Sequence, residues 1–560
     1  MKMKCRTLLA VITLLLNSNI SFSTNFLLLS EIREGQKGVG ITRWNDDKIK
    51  EFEIEIVSIL KSTPKSGVII ARINDEEIRN TGVVAGMSGS PVYVNNKIIG
   101  AISFTWTFLK EPMVGITPLE EMIPLEKYAM NEIFLPSSIK YTTPILASGI
   151  SKTTKEILES KLSKWNVLLV ESFSSFTTKE KDRNSSIFRP GDGIGINLVS
   201  GDIELTVIGT VTYIESNKVF GLGHPAFLIG KTSIPISTVE TVAIVPRQNL
   251  SFKIAVPREI VGSLEFDGGS GVFCVLGKKA PLVKATVNVD RKNLYTYYLA
   301  KDNNLLPILL SAVVNESILR TKALGGEGNV ELKCSLSFKF EGLDKEFALD
   351  FKDIVPVYQL GQGYAISLSD VNSILEFLMY NPLFKVDINR IHIDVETKPL
   401  DVGFIAFVIP SKVTVSPGEE LKISVGIKKL RGDIILREFK VKIPTWVASG
   451  TKITIGAVNK ALRSIQKINS YPEAITFDTY EKLYNFISED LRVEKLVLYL
   501  EIPSASYASG GYVYELLPNY LSTAFALTPR SKNLIPFIVE EEITEEFPIG
   551  GISSTSVFVK

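Results

Sequence analysis

The sequence predicts a mainly β protein with several domains, and three observations carry that expectation. The chain has 560 residues, beyond the roughly 250–300 at which a single hydrophobic core stops growing. Short apolar or alternating runs recur along it, including EFEIEIVSIL, SGVIIARI, SPVYV, IIGAISF, IELTVIGTVTYI, SFKIAV and VELKCSLSFKF. Runs of this length and period read as strands. Clusters of Gly, Asn, Asp and Pro lie between them, which is turn chemistry. Hydrophobic residues make up 45% and charged residues 22% of the chain, the balance of a globular protein.

Lys2, Lys4 and Arg6 precede the apolar run TLLAVITLLL, and NSNISFS then ends in small residues at Ser21 and Ser23. This layout reads as a cleavable signal peptide over residues 1–23. The apolar run is too short for the roughly 20 residues of a membrane-spanning helix. FLLL at 26–29 keeps an uncleaved N-terminal anchor open, and the polar stretch from Asn17 to Asn25 favours cleavage. The expected location is secreted or periplasmic, with peripheral association with the cell envelope left open. Without residues 1–23 the chain holds 59 basic and 61 acidic residues. Such neutrality argues against a nucleic-acid partner, which needs a basic face. Beyond the leader the chain has Cys274 and Cys334, either paired or free and buried. His224 and His392 are the two histidines. With no Cys/His cluster, no metal site and no cofactor are expected.

Along the chain, helices are expected over Lys152–Trp165, Asp370–Tyr380 and Thr479–Leu491, and strands over most of the rest. Domain boundaries are expected to give a serine-bearing half at 24–145, a histidine-bearing half at 146–295, an α+β segment at 296–395 and a β-rich C-terminal accessory domain at 396–560. The stretch VIPSKVTVSPGEELKISVGIKKL, with Pro and Gly turns between alternating strands, makes that last module β-sandwich-like. His392 in RIHIDVE is expected on a strand face, the aromatics of ISFTWTF in a core or pocket wall, and EEEITEEF in a solvated acidic segment.

The chemistry concentrates in GVVAGMSGSPVYVNNKIIGAISFTW, residues 82–106. Ser88 lies between glycines, in front of a strand, an Asn-Asn turn and a second strand. A serine hydroxyl attacks only when a base takes its proton, and the oxyanion that forms needs fixed N–H donors. Glycines allow the dihedrals that aim those donors, and the N–H groups of Gly86 and Ser88 are the natural pair. A G-x-S-x-G elbow is excluded, because position 90 is Ser and a strand follows where the elbow needs a helix. The plainer reading is a tight turn in a non-catalytic barrel.

The segment TGVVAGMSGSPVYVNNKIIGAIS resembles the serine-peptidase stretch of the SpoIVB family, the S55 peptidases, whose TGG-I-x-x-GMSGSP-I-x-x-x-GK-x-IGA pattern it follows closely. The resemblance implies a trypsin-like double β-barrel. It makes Ser88 the nucleophile and assigns the general base to His224, in the strand-end motif LGHP. It makes EPMVGITPL the strand that returns to close the specificity pocket. It makes Ser103, Phe104, Thr105 and Trp106 the substrate-binding strand, which would take a peptide by β-augmentation. Ser88 precedes His224 by 136 residues, whereas the family places histidine first, so the two halves are expected in permuted order. The family's acid lies just before its TGG, where Asp75 is the nearest match. Asp267, in EFDGGSG, is a rival, and a Ser–His dyad is the third reading. The implied function is an extracytoplasmic serine endopeptidase acting on protein or peptide through an acyl-enzyme, with self-processing or signalling as its use. The alternative is a catalytically silent protease-like scaffold that binds peptides or envelope components.

Overall fold

The computed structural model describes residues 26–63, 66–106, 108–130, 142–172, 188–321, 326–360, 370–380, 385–472, 479–490, 492–509, 512–517, 521 and 534–560. The expected signal peptide lies outside them. The chain is mainly β and forms two compact units. The first comprises the described residues within Met1–Leu146, Trp165–Ile196 and Val207–Lys279. The second comprises those within Ala147–Lys164, Asn197–Thr206 and Ala280–Lys560.

The first unit begins with strands β1 (Lys37–Arg43), β2 (Ile49–Thr63) and β3 (Ser66–Asn74), helix α1 (Glu76–Thr81), the short strand β4 (Val84–Ala85), and then β5 (Pro91–Val94), β6 (Lys97–Thr105) and β7 (Met113–Pro118). Six of these strands close into a barrel in the order β1-β2-β3-β7-β6-β5. Closure removes the exposed edges that an open sheet would present. Side chains alternate across each strand, so one face fills the barrel with Phe52, Ile54, Ile56, Ile69, Ile73, Val92, Val94, Ile99, Val114 and Ile116. The interior is tight: a Cβ at Gly40 would lie 2.3 Å from the Phe52 ring. Asn95 and Asn96 connect β5 to β6 with φ of 51° and 62°. Two left-handed residues of this kind suit a two-residue hairpin turn.

After helices α2 (Leu119–Met122) and α3 (Leu125–Met130) come β8 (Thr143–Ser148), helix α4 (Lys152–Lys161), β9 (Val167–Ser172), β10 (Gly193–Gly201), β11 (Glu204–Glu215), β12 (Lys218–Gly221), β13 (Gly230–Val245), β14 (Ser251–Gly268) and β15 (Gly271–Leu276). Helix α4, the end of β8, the end of β10 and the start of β11 belong to the second unit; the strands run β10-β13-β14-β15-β12-β11, and β11 also pairs with β10. The six strands therefore form a second closed ring, with β8 and β9 added outside β11. Helices α2 and α3 seat Leu119, Met122 and Leu125 against Phe220, Phe266 and Phe273 of this ring.

In the second unit, β16 (Leu282–Val289), β17 (Asn293–Ala300), β18 (Gly326–Phe340), β19 (Glu346–Leu360) and β20 (Val386–Lys398) form one sheet in the order β19-β18-β20-β16-β17. Helix α5 (Leu306–Thr321), buried on almost every face, packs beside α6 (Asp370–Tyr380). Farther along, a four-stranded and a six-stranded sheet share one core that includes Ile423, Val425, Phe439, Ile455, Leu498 and Val557. His392 lies on β20, its Nδ1 2.7 Å from Thr286 Oγ1. The acidic segment is not simply solvated. Glu540 bonds Arg463 and Lys467, and Glu545 bonds Arg437. The reason is that Arg463 is buried over the Tyr499 ring, and its charge needs carboxylates. Cys274 and Cys334 are free and buried. Among the described residues no helix is long and apolar enough to cross a membrane.

Candidate active site

The serine turn links β4 to β5. Gly86 and Gly89 have φ of 98° and 94°, a region in which a side chain is strained. The turn closes on itself through Met87 N to Val84 O and Ser90 N to Met87 O, both 2.9 Å. It is fastened to the barrel through Gly89 N to Ile102 O at 2.7 Å. Among the described residues, these turn bonds leave the Ser88 N–H without a protein acceptor. The Ser88 hydroxyl is likewise buried without a hydrogen-bond partner. The hydroxyl therefore makes no hydrogen bond to the His224 imidazole in this structure, and a buried polar group of that kind is uncommon.

The second ring reaches the same turn through β11, and through β14 beside β4. On β11, Thr210 donates its N–H to Ser88 O at 2.7 Å and its hydroxyl to Gly86 O at 2.9 Å. Two residues on, Thr212 donates its hydroxyl to Gly89 O at 2.7 Å. Residues i and i+2 of a strand share a face, so the two threonines grip the turn side by side. Thr210 also accepts from Leu222 N at 3.2 Å, and Leu222 is two residues before His224. Gly89 fits between these groups. A Cβ there would lie 1.9 Å from Thr210 O and 2.6 Å from Leu222 N. The serine turn and the histidine loop thus abut.

His224 is 3% exposed. Leu222 and Gly223 before it both have left-handed backbone, φ 64° and 68°. Gly223 O accepts the Thr117 hydroxyl at 2.7 Å, and Thr117 N donates to Ser103 Oγ at 3.0 Å. This chain ties the β6–β7 hairpin to the histidine loop. His224 Nδ1 lies 2.7 Å from Pro225 O. A carbonyl can only accept, so Nδ1 carries the proton and the basic lone pair is on Nε2. Burial lowers the His224 pKa to about 4, the Pro225 bond raising it slightly in return. The imidazole is therefore neutral at physiological pH.

The two candidate acids occupy different places. Asp75 caps α1, accepting from Ile78 N at 2.9 Å, and pairs with Lys50 at 3.1 Å. Those contacts take it into the first barrel's ion pairs and not to the imidazole. Asp267 is fully buried at the end of β14, directly under the loop that follows His224. It accepts from Ala226 N and Phe227 N, each at 2.7 Å, and from Ile229 N at 3.4 Å. Burial raises its pKa to about 6, against the lowering effect of those N–H groups.

In the predicted substrate strand, Ser103 is buried and committed to Ala101 O and Thr117. Thr105 bonds Met113 O at 2.7 Å, and Phe104 covers Gly115. Trp106 is 45% exposed and meets Phe104 edge-on at 5.3 Å, so it is neither core nor enclosed pocket wall. On the side away from β7, the ladder with β5 ends at Ala101 and the turn bonds end at Ile102.

The sequence reading missed Thr117, Thr210 and Thr212, which hold the two loops together. For Thr210 and Thr212 a signal was available: two hydroxyls at alternate positions share one face of the apolar run TVTYI.

Residues 14–123 match the SpoIVB peptidase S55 family. The matched stretch is that of a serine peptidase family, and it contains Asp75, Gly86, Ser88 and 103–106. It ends before His224. No curated protein and no solved structure matches the chain.

Proposed function

We propose that the protein is a serine endopeptidase in which Ser88 attacks a peptide carbonyl and His224 is the general base. One observation carries this reading: Thr210 is hydrogen-bonded at once to the carbonyl of Ser88 and to the N–H of Leu222, so the two loops are held against a single residue. In the first step the Ser88 Oγ–carbon bond forms and the proton passes to His224 Nε2. The carbonyl oxygen becomes an oxyanion facing the N–H groups of Ser88 and Gly86. The proton then goes to the leaving amine, the C–N bond breaks, and an acyl-enzyme remains. Water repeats the sequence to release the acid.

The imidazole is oriented by Pro225 O, and Asp267 acts as a positioning residue that holds 226–229. This makes the relay a Ser–His dyad with a buried carboxylate beneath its loop. The two closed six-stranded rings, with the serine turn on one and the histidine loop on the other, support a trypsin-like double barrel in permuted order. The substrate would lie along the open side of residues 103–105, adding a strand, with Trp106 at its end. A protein or peptide substrate outside the cytoplasm fits the matched family and the leader-like N-terminus. Work at the cell envelope, in self-processing or in signalling, fits the same placement.

The test is cleavage of an unstructured protein by the wild type and by single variants. Ser88→Ala and His224→Ala should each abolish cleavage with the far-UV circular dichroism unchanged. Asp75→Asn should retain activity within about tenfold, and its complete inactivation in a folded protein would return Asp75 to the relay. A folded wild type that cleaves nothing and takes no serine-directed label would support the silent scaffold.

A further inference from the structure

Lys253, on β14, is 3% exposed. Lysines are almost never buried to this degree, because the ammonium loses its water. Its Nζ donates to the Thr42 hydroxyl of β1 at 2.8 Å. Its stem lies against the serine turn: a Cβ at Gly86 would sit 3.1 Å from Lys253 Cδ and 3.4 Å from Cγ. Two bonds of about 1.5 Å each separate Cδ from Nζ, so the amine lies within roughly 6 Å of that point. The placement is enforced by the backbone, since β4 pairs in parallel with the start of β14 through Val84–Ser251 and Ala85–Phe252.

Two charged groups act on the amine. Asp47, buried in the β1–β2 connection, favours its charge, and Arg43 of β1 opposes it. Arg43 is itself held by Asp192 at 2.8 Å, and Asp47 accepts from Thr241 N at 3.2 Å. The serine turn offers Gly86, β11 offers Ile208, and β13 offers Ile244 as the ladder partner; none of these titrates.

We propose that Lys253 is the electrostatic partner of the oxyanion hole, its buried ammonium stabilising the negative charge that develops at the N–H groups of Gly86 and Ser88. This rests on the Ser88–His224 chemistry above. The oxyanion lies beyond the Gly86 N–H, within roughly 10 Å of the amine, and a unit charge at that distance inside a protein changes a rate on the order of tenfold. Burial lowers the Lys253 pKa to about 7. The amine therefore loses its charge, and the oxyanion its support, as pH rises through about 7.

The test is the second-order rate of labelling by a fluorophosphonate between pH 5 and pH 9, on the full chain. In that reaction the Ser88 Oγ–P bond forms, the P–F bond breaks, fluoride leaves and the serine proton passes to His224. The wild-type rate should fall about tenfold from pH 6 to pH 9. Lys253→Met should be flat at the level the wild type reaches at pH 9. Thr42→Val removes an acceptor that favours the charged amine, so its alkaline limb should move to lower pH. This second variant carries the test if Lys253→Met does not fold. A flat wild-type profile, an alkaline limb that persists in Lys253→Met, or an unmoved limb in Thr42→Val overturns the role of Lys253. Each of these leaves the Ser88–His224 reading standing, because Ser88 is still labelled. A folded wild type labelled at no pH overturns both.

Discussion

In the proposed relay, His224 is a base weakened by burial. A histidine in water titrates near 6.5, and its shift to about 4 here changes the expected pH dependence. The acid limb of kcat/KM should fall near pH 4, so activity should be almost constant between pH 5 and 6.5. An assay that finds half-maximal activity at pH 6.5 would show that the imidazole is solvated. The same shift bears on stability. Between about pH 6.5 and 4 the unfolded chain takes a proton that the folded chain refuses, so His224 removes stability as pH falls through that window. Asp267 works in the opposite sense. Its folded pKa of about 6 lies above the ordinary carboxyl value, so its contribution is greatest below about pH 4 and is lost as pH rises to about 6. The two slopes oppose each other over pH 4–6. Asp267→Asn should leave the His224 slope exposed, and the melting temperature should then fall more steeply from pH 6 to pH 4 than in the wild type. The same variant should label at Ser88 at least about tenfold more slowly, since the loop behind His224 loses carboxylate acceptors.

The serine turn works as an element because three strands hold it: β6 through Ile102 and β11 through Thr210 and Thr212 on either side, with β14 beside β4. Gly89→Ala puts a methyl 1.9 Å from Thr210 O at a φ of 94°. It should lower unfolding free energy by at least about 2 kcal/mol and abolish labelling. Thr210→Val leaves Gly86 O without its hydroxyl donor, which costs about 1–3 kcal/mol, and denaturant titration would read it. Much of this element was legible in the sequence. The Asn-Asn hairpin follows from turn residues and alternation, and the return strand Met113–Pro118 from the family resemblance. The helix Leu306–Thr321 was not legible, because it is apolar on nearly every face and has no 3.6-residue stripe to read. Lys460–Ser470, capped by Asn459, carried a visible signal that the strand-rich surroundings obscured. The ion pairs of Glu540 with Arg463 and Lys467, and of Asp75 with Lys50, depend on partners distant in the chain, and local pattern says nothing of those. The roles of Asp267 and Lys253 are tertiary in the same sense.

At the scale of the molecule, the first unit holds most of two rings of six strands, and the candidate site lies where a loop of each meets the other. Chain order matters little to such an arrangement, since a relay needs only that its groups converge. Cys274 and Cys334 are buried thiols, so the fold does not depend on a bridge between them. Adding dithiothreitol should leave the melting temperature unchanged, and both thiols should react with a thiol reagent only after denaturation. The most direct measurement of the central claim is mass-spectrometric mapping of the fluorophosphonate adduct on the folded protein. The account predicts one adduct, on Ser88, lost in His224→Ala. An adduct on another residue, or equal labelling at Ser88 without the histidine, would contradict it.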